Sequence, residues 1–341
     1  MLPLVATPAG LLLTELGLHL DPSTAVPHAF VSHAHADHAR AAAGGTIYCS
    51  PETAALLAAR GPIGADVVTL DWDRRLEARL GGEAVSLSLA PSGHVLGAAQ
   101  LIVDHPRHGR LVYTGDYRTG PGDTHATGAP VACDALVIES TFALPIFAFP
   151  DRAATLASIV EWCRATLAAG QTPVLLAWAL GKAQALIHAL LAAALPVMAH
   201  GAVHRMCAAY EALGIPLGVA DGRLRAYADV PKKERAVLVT PPRTRATPMV
   251  DKRKDARIAL VSGWAMVDAA VEQRRADAGF ALSDHADHDD LVATVKTTGA
   301  RQIVCTHGDG DALAHVLVTR HALVAGALDV AAIDTREEAI G

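Results

Sequence analysis

Aromatic side chains are scarce. Phe, Trp and Tyr together make up 4% of the 341 residues, so the core must be built from aliphatic side chains, and platforms for stacking nucleobases are few. Any contact with a nucleic acid is expected to lean on phosphates. Cysteine is sparse as well. Cys49, Cys133, Cys163, Cys207 and Cys305 are odd in number and show no Cys-x-x-Cys spacing. That argues against a disulfide framework or a thiolate zinc site and points to a reducing, cytoplasmic compartment. No apolar run approaches the roughly 18 residues that a membrane span needs, and the first residues carry no basic segment of the kind that opens an export signal. Neither membrane insertion nor export is expected. A strong charge of one sign is also missing: 29 Lys and Arg against 35 Asp and Glu leave −6, with no general attraction to nucleic acid or to an anionic membrane.

What is present is an apolar fraction of 51%, with Gly and Pro spread along the chain, which excludes wholesale disorder. At roughly 150 residues per domain, the length suggests two domains, or one core with a large insertion. Short strand-like runs at residues 29–32, 45–49, 84–90, 110–114 and 135–139 alternate with turns and Ala-rich segments, giving a sheet-rich first part. From residue 151 the pattern changes. An amphipathic helix at 153–169, a strand at 172–177, a helix at 182–194, a short strand at 196–198 and a further helix predict a parallel α/β sheet. Residues 232–257 hold nine Lys or Arg against three acids and read as loop apart from a strand at 236–240. Sheet-and-helix alternation then resumes: a strand at 258–262, a helix from Ala265, a strand at 278–283, a helix at 289–297, a strand at 302–306, and a last helix and strand reaching 333.

The strongest chemical signal is His33-Ala34-His35-Ala36-Asp37-His38, which follows an apolar strand and precedes an Ala-rich helix expected at Ala39. In extended chain His33 and His35 point the same way, and as the chain turns Asp37 and His38 project separately. One segment can thus feed two metal ions. Imidazole with carboxylate suits zinc, or manganese as the carboxylate share rises. Three more strand ends carry ligand-type residues: His94 in Gly93-His94-Val95-Leu96-Gly97, Asp116 closing Tyr113-Thr114-Gly115-Asp116, and His307 in Thr306-His307-Gly308. We expect His33, His35, His94 and Asp116 around one ion, and Asp37, His38, Asp116 and His307 around the other, with Asp116 bridging. Asp21, after the strand-like 18–20, is expected to orient a ligand histidine from behind.

In this order the motifs resemble the metallo-β-lactamase fold and, within it, the β-CASP nucleases. Glu139-Ser140-Thr141-Phe142, Leu282-Ser283-Asp284-His285-Ala286-Asp287 and Thr306-His307-Gly308 are similar to that group's three additional motifs, with His288 standing where the pattern has an aromatic residue. The segments 279–287 and 178–184 are most similar to bacterial ligase-associated DNA damage response exonucleases. The resemblance implies an αβ/βα sandwich from residues 1–143 and 277–341 with a β-CASP α/β domain, 144–276, inserted between. It implies a DNA exonuclease working with two divalent cations, zinc or manganese, on single-stranded or end-containing DNA in repair, with a DNA ligase and a helicase as partners. Asp37 would orient the attacking water. His285 would protonate the leaving oxygen or neutralise charge on the phosphate, with Glu139 orienting it. Lys182, at a helix start, is expected to bind phosphate together with Ser140 and Thr141. The rivals are an RNA-processing nuclease of the same superfamily and a small-molecule metallo-hydrolase, which would not need Glu139, His285 or Lys182.

Overall fold

In a computed structural model that describes residues 1–231 and 233–328, the alternating runs assemble into three sheets flanked by helices, an α/β architecture. Lys232 and the end of the last expected strand, with the rest of the chain beyond 328, lie outside the described residues. Among the described residues, Met1–Ala148 together with those from His285 to 328 form one compact unit, and Phe149–Asp284 form the other.

The first unit contains two sheets. One has six strands in chain order, from Leu4–Thr7 to Asp66–Thr69. The other has seven, ordered Ala325–Ala327, Gln302–Gly308, Ala135–Ser140, Gly109–Tyr113, Ala99–His105, Glu83–Pro91 and Leu76–Leu80. Period-two alternation sends Leu11, Leu13, Leu20 and Phe30 from the first sheet, and Leu87, Leu101, Val103 and Val137 from the second, into one buried core between them. The opposite face of the seven-stranded sheet, with Leu136, Ile138 and Ile303, is covered by Leu291 and Val295 of helix His288–Thr298 and by Leu313 and Leu317 of helix Gly310–His321. Each such side chain contributes about 1.5–3 kcal/mol on burial, so the middle strands are held on both faces. Glu83–Pro91 and Gly109–Tyr113 both run antiparallel to Ala99–His105, while Gly109–Tyr113, Ala135–Ser140 and Gln302–Gly308 are parallel neighbours. Four carboxyl ends therefore open on one edge.

The second unit carries a six-stranded, all-parallel sheet ordered Leu224–Ala226, Val197–Ala199, Val237–Thr240, Thr172–Leu176, Ala256–Val261 and Ala278–Phe280. Helices Arg152–Ala168, Lys182–Ala192 and Gly201–Ala212 belong to it, as the apolar periodicity predicts. Among the described residues no helix is long and apolar enough to cross a membrane.

Several elements differ from the sequence expectation, among them strand Ala278–Phe280, which is shorter than the expected 278–283, and strand Ala99–His105, which was not expected. The helix expected at Ala39 is a four-residue 3-10 turn, Arg40–Ala43. It stops at Gly44-Gly45, where Gly45 has φ +74 and a Cβ would stand 2.0 Å from the Val26 carbonyl oxygen. The helix expected from Ala265 is a 3-10 turn followed by the short Asp268–Gln273. Helix Pro51–Arg60 was not expected, although Ser50-Pro51-Glu52 carries its start signal: the Ser50 side chain accepts from the Thr53 N–H, and Pro51 opens the first turn.

Candidate metal centre

The ligand-type side chains of the first unit gather where its strands end. His33, His35, Asp37 and His38 follow strand His28–Phe30, in a turn closed by the His38 and Ala39 amides on the His35 carbonyl. His94 follows Glu83–Pro91, and Asp116 follows Gly109–Tyr113. His307 lies within Gln302–Gly308, where Thr306 pairs with Glu139 and Gly308 with Ser140. His307 is thus the extra residue of a bulge, with φ +53, and the bulge turns its ring out of the ladder. Gly308 makes this possible. Its φ is +104, and a Cβ would stand 2.4 Å from the Ser140 carbonyl oxygen. Gly308→Ala is therefore expected to destabilise the fold by about 2 kcal/mol and to displace His307; an unchanged melting temperature would contradict this.

At the centre, His33 Nε2 and His35 Nδ1 are 2.9 Å apart, and His94 Nε2 is 3.1 Å from the same His35 nitrogen. Asp116 Oδ2 lies 3.6 Å from His33 Nε2 and 3.5 Å from His94 Nε2. All four side chains are buried. Ligands held at about 2.0–2.1 Å in a tetrahedron stand roughly 3.3 Å from one another, so this spacing and this donor set fit zinc. On the other side of Asp116, His38 Nε2 is 3.5 Å from Asp116 Oδ2 and 3.6 Å from Asp37 Oδ2. The His307 ring is 5.5 Å from that of His38, which makes Asp37, His38, Asp116 and His307 a looser set than the first.

Behind the ligands sits Asp21, buried and with φ +43. Its Oδ1 accepts from the Ser32 N–H at 2.7 Å, and its Oδ2 accepts from Ser32 Oγ at 2.6 Å, His38 Nδ1 at 2.9 Å and the Tyr113 hydroxyl at 2.8 Å. Because Ser32 Oγ donates to Asp21, it accepts from His33 Nδ1, 2.9 Å away. Both histidines thereby commit Nδ1 as a donor and turn Nε2 to the centre.

Burial pushes the Asp116 carboxyl up to about 6, against the pull of His38 and His285. Burial and the neighbouring imidazoles hold His33 well below the usual range, and burial with His38 lowers His307 to about 4. His38 is the exception. Burial opposes its charge, but Asp116, Asp37 and Asp21 outweigh it and raise the ring well above the ordinary value. Near neutral pH the metal-free centre therefore keeps a proton on His38, which a cation must displace. Cation uptake is expected to release about one proton and to tighten as pH rises through neutrality. Calorimetry in buffers of different ionisation enthalpy reads this directly, and a heat independent of buffer would contradict it.

Glu139, the last but one residue of Ala135–Ser140, is fully buried. His285 Nδ1 donates to it, 2.9 Å from Oε2, and the Tyr117 amide donates to Oε1 at 2.5 Å. That leaves His285 Nε2 pointing inward, 3.9 Å from Asp116 Oδ2.

No protein-family model matches the chain. It is 35% identical over 313 residues to a protein named "Probable DNA ligase" from Opitutus terrae, an alignment that takes in 91% of this chain and 30% of that protein. The chain thus spans about a third of the relative's length. A crystal structure of a protein of unknown function from Enterococcus faecalis V583 shares the fold, with a TM-score of 0.54 at 16% identity over 84% of this chain and 76% of that one.

The remaining expected residues have partners of their own. Ser140 Oγ donates to the Thr306 carbonyl at 2.7 Å, and Thr141 supports Glu139 by a hydrogen bond. Lys182 is buried in the second unit, its Nζ 3.1 Å from Asp284 Oδ2, with Arg152 3.6 Å from the same carboxylate. His288 is buried and donates Nδ1–H to the Ala143 carbonyl at 2.6 Å. A second His/Glu group, Glu15 with His105 and His108, is of another kind. Arg107 already supplies its cation, 3.2 Å from Glu15 and 2.8 Å from Glu83, and the Arg107 amide donates to His105 Nδ1 at 3.1 Å, so Nε2 bears the proton and cannot ligate. Ser32 and Tyr113 were not singled out from sequence, because a hydroxyl beside or within an apolar strand carries no signal until its partner is known.

Proposed function

We propose that this chain is a metal-dependent DNA exonuclease that hydrolyses phosphodiester bonds during repair, a β-CASP nuclease on a metallo-β-lactamase sandwich. In this reading the unit bearing Glu139 and His307 is the sandwich and Phe149–Asp284 the inserted domain. The observation that carries the reading is the convergence of His33, His35, His94 and Asp116 at 2.9–3.6 Å beside the Glu139–His285 pair. The ligase-named relative supports a DNA-related role, and a DNA ligase and a helicase as partners belong to this reading through the resemblance alone.

Two divalent cations, zinc or manganese, held by His33, His35, His94 and Asp116 and by Asp37, His38, Asp116 and His307, would polarise the scissile phosphate and supply a nucleophile at neutral pH. Asp37 orients the attacking water, and His285 gives its Nε2 proton to the leaving oxygen while Glu139 fixes the ring. The test is cleavage of end-labelled single-stranded DNA and matched RNA with zinc or manganese. Stepwise shortening of DNA is expected. RNA cleavage alone would replace DNA by RNA in the reading, and turnover of a thioester or lactam with neither nucleic acid cut would overturn it.

For the basic stretch, pairing divides the residues. Arg245 faces Asp251 at 3.6 Å, Arg253 and Arg235 face Asp255 at 3.9 and 4.0 Å, and Arg257 lies over Trp162. Arg243, Lys252 and Lys254 are exposed. Replacing these three by Gln is expected to weaken DNA binding and to flatten its salt slope by about one for each phosphate left unneutralised. An unchanged slope would leave the stretch as a solvated surface.

A further inference from the structure

We propose that helix Pro51–Arg60 is a brace that sets the span between the two histidine loops of the metal centre, with Ser50, Thr53 and Arg60 as its positioning residues. This rests on the metal-centre reading above and adds to it what holds the tighter ligand set in place from behind. His33 and His35 stand on one loop and His94 on another. Their nitrogens meet at 2.9–3.1 Å, so the set works only while the two loops keep one spacing. Each loop is fastened to an opposite end of the same helix. At its start Ser50 Oγ and Thr53 Oγ1 donate to the Gly97 carbonyl, three residues beyond His94, at 2.6 and 3.0 Å. At its end Arg60 Nη1 donates to the carbonyl of Ala34, the residue between His33 and His35, at 2.6 Å.

The helix has the periodicity for this. Thr53, Leu56, Leu57 and Arg60 repeat at helical spacing and share one face, which covers about 10 Å from the first to the last. Thr53, Leu56 and Leu57 are buried, so hydrogen bonds sit at both ends of an apolar middle. At the start the fit is tight. Gly97 has φ +78, and a Cβ there would stand 2.7 Å from the Thr53 nitrogen and 2.8 Å from Glu52 Cβ. Glu52 is held in turn by the Trp72 indole N–H, 3.0 Å from Oε2. Each loop is also closed on itself, one by the Ser92 amide on the Ala98 carbonyl and the other by the Ala39 amide on the His35 carbonyl, both at 3.0 Å. A tie at one carbonyl therefore steadies the ligands of that loop together. The loops are joined directly as well, by the Ala99 amide on the Ser32 carbonyl at 3.0 Å. The helix supplies the second tie, and two ties fix an angle that one leaves free.

The experiment measures the zinc affinity of the full chain by competition with a chromophoric chelator, and the visible absorption of cobalt(II) bound in place of zinc. Wild type is set beside Arg60→Met, beside Ser50→Ala with Thr53→Val, and beside all three changes together. Releasing either end is expected to weaken the first zinc equivalent about 10-fold, the lower end of what losing a residue that holds a metal ligand from behind costs, and to shift the cobalt bands. The two ends act in series, so releasing both should weaken binding no further than releasing one. Arg60→Lys, which keeps a donor at the helix end, should bind as the wild type does. Effects of the two ends that multiply overturn the proposal, since residues steadying only their own loops would give that result. So does an Arg60→Lys chain as weak as Arg60→Met. The two Arg60 variants carry the test even if loss of the Ser50 cap unfolds the chain. A wild-type chain that takes up no zinc fails the metal-centre reading and this proposal together; an Arg60→Met chain that binds zinc as tightly as a zinc-binding wild type fails this proposal alone.

Discussion

Asp116→Asn is expected to abolish phosphodiester hydrolysis, with a rate loss of about a thousandfold or more, and to lower the bound metal at both cation sites. Asp116 Oδ2 is the atom on which the centre closes: His33, His94 and His38 approach it at 3.5–3.6 Å from two sides. In the two-cation reading Asp116 would serve both sites, so its loss would remove a ligand from each, and transition-state stabilisation by metal ions amounts to several kcal/mol, each 1.36 kcal/mol being tenfold in rate. The effect on folding runs the other way. An acid raised from 3.8 to about 6 by burial binds its proton more tightly folded than unfolded. It therefore costs the metal-free fold stability that grows as pH rises across that window and stays lost above it. The neutral amide relieves the burial of charge. At pH 7.5 the metal-free variant should melt no lower than the metal-free wild type while cleaving nothing. Metal analysis, end-labelled DNA cleavage and a melting curve together check this, and retained cleavage would defeat the two-cation reading.

How much of this site is legible in the sequence depends on what kind of neighbourhood makes each part. His33 to His38 can be read directly because the ligand types are consecutive and lie at a strand end, where alternation dictates which pair faces together. His94, Asp116 and His307 are each an unremarkable loop residue alone. They become a set because Glu83–Pro91, Gly109–Tyr113 and Gln302–Gly308 all run one way, and strand direction is a property of topology rather than of local pattern. Asp21 could be suspected as an orienting carboxylate, but the means by which it reaches His33 could not. The Ser32 hydroxyl that carries the contact is one of many serines, and it acts only because a left-handed turn at Asp21 aims both carboxylate oxygens back at the strand. Lys182 opens a helix after a Gly turn, a local pattern that sequence can show, whereas its partner Asp284, about a hundred residues later and 3.1 Å from its ammonium, is visible only in the fold. The parallel sheet of the second unit was the easiest element to foresee, because strands fully buried between helices read as continuous apolar runs.

His285→Ala is expected to slow cleavage by about 10²–10⁴-fold while leaving the metal content of the protein unchanged, the range typical for loss of a positioned general acid. The reasoning turns on which nitrogen is committed. His285 gives Nδ1 to Glu139, so it meets the centre with Nε2, 3.9 Å from Asp116 Oδ2 and farther from it than His33, His38 or His94. Glu139 can serve as the anchor because it stays ionised. Burial alone would raise its carboxyl, but the His285 charge and hydrogen bonds from His285, Thr141 and the Tyr117 amide outweigh burial and lower it. Glu139→Gln puts a neutral amide behind the imidazole. It is expected to slow cleavage by about 10- to 100-fold, and the double variant should be no slower than His285→Ala alone, because Glu139 acts through His285. Two results would break this account. If His285→Ala loses a metal equivalent, His285 is a ligand and not a proton donor. If the two substitutions multiply, Glu139 does something for cleavage that does not pass through the imidazole, and its hydrogen bond to the Tyr117 amide, next to Asp116, is where that effect would have to arise.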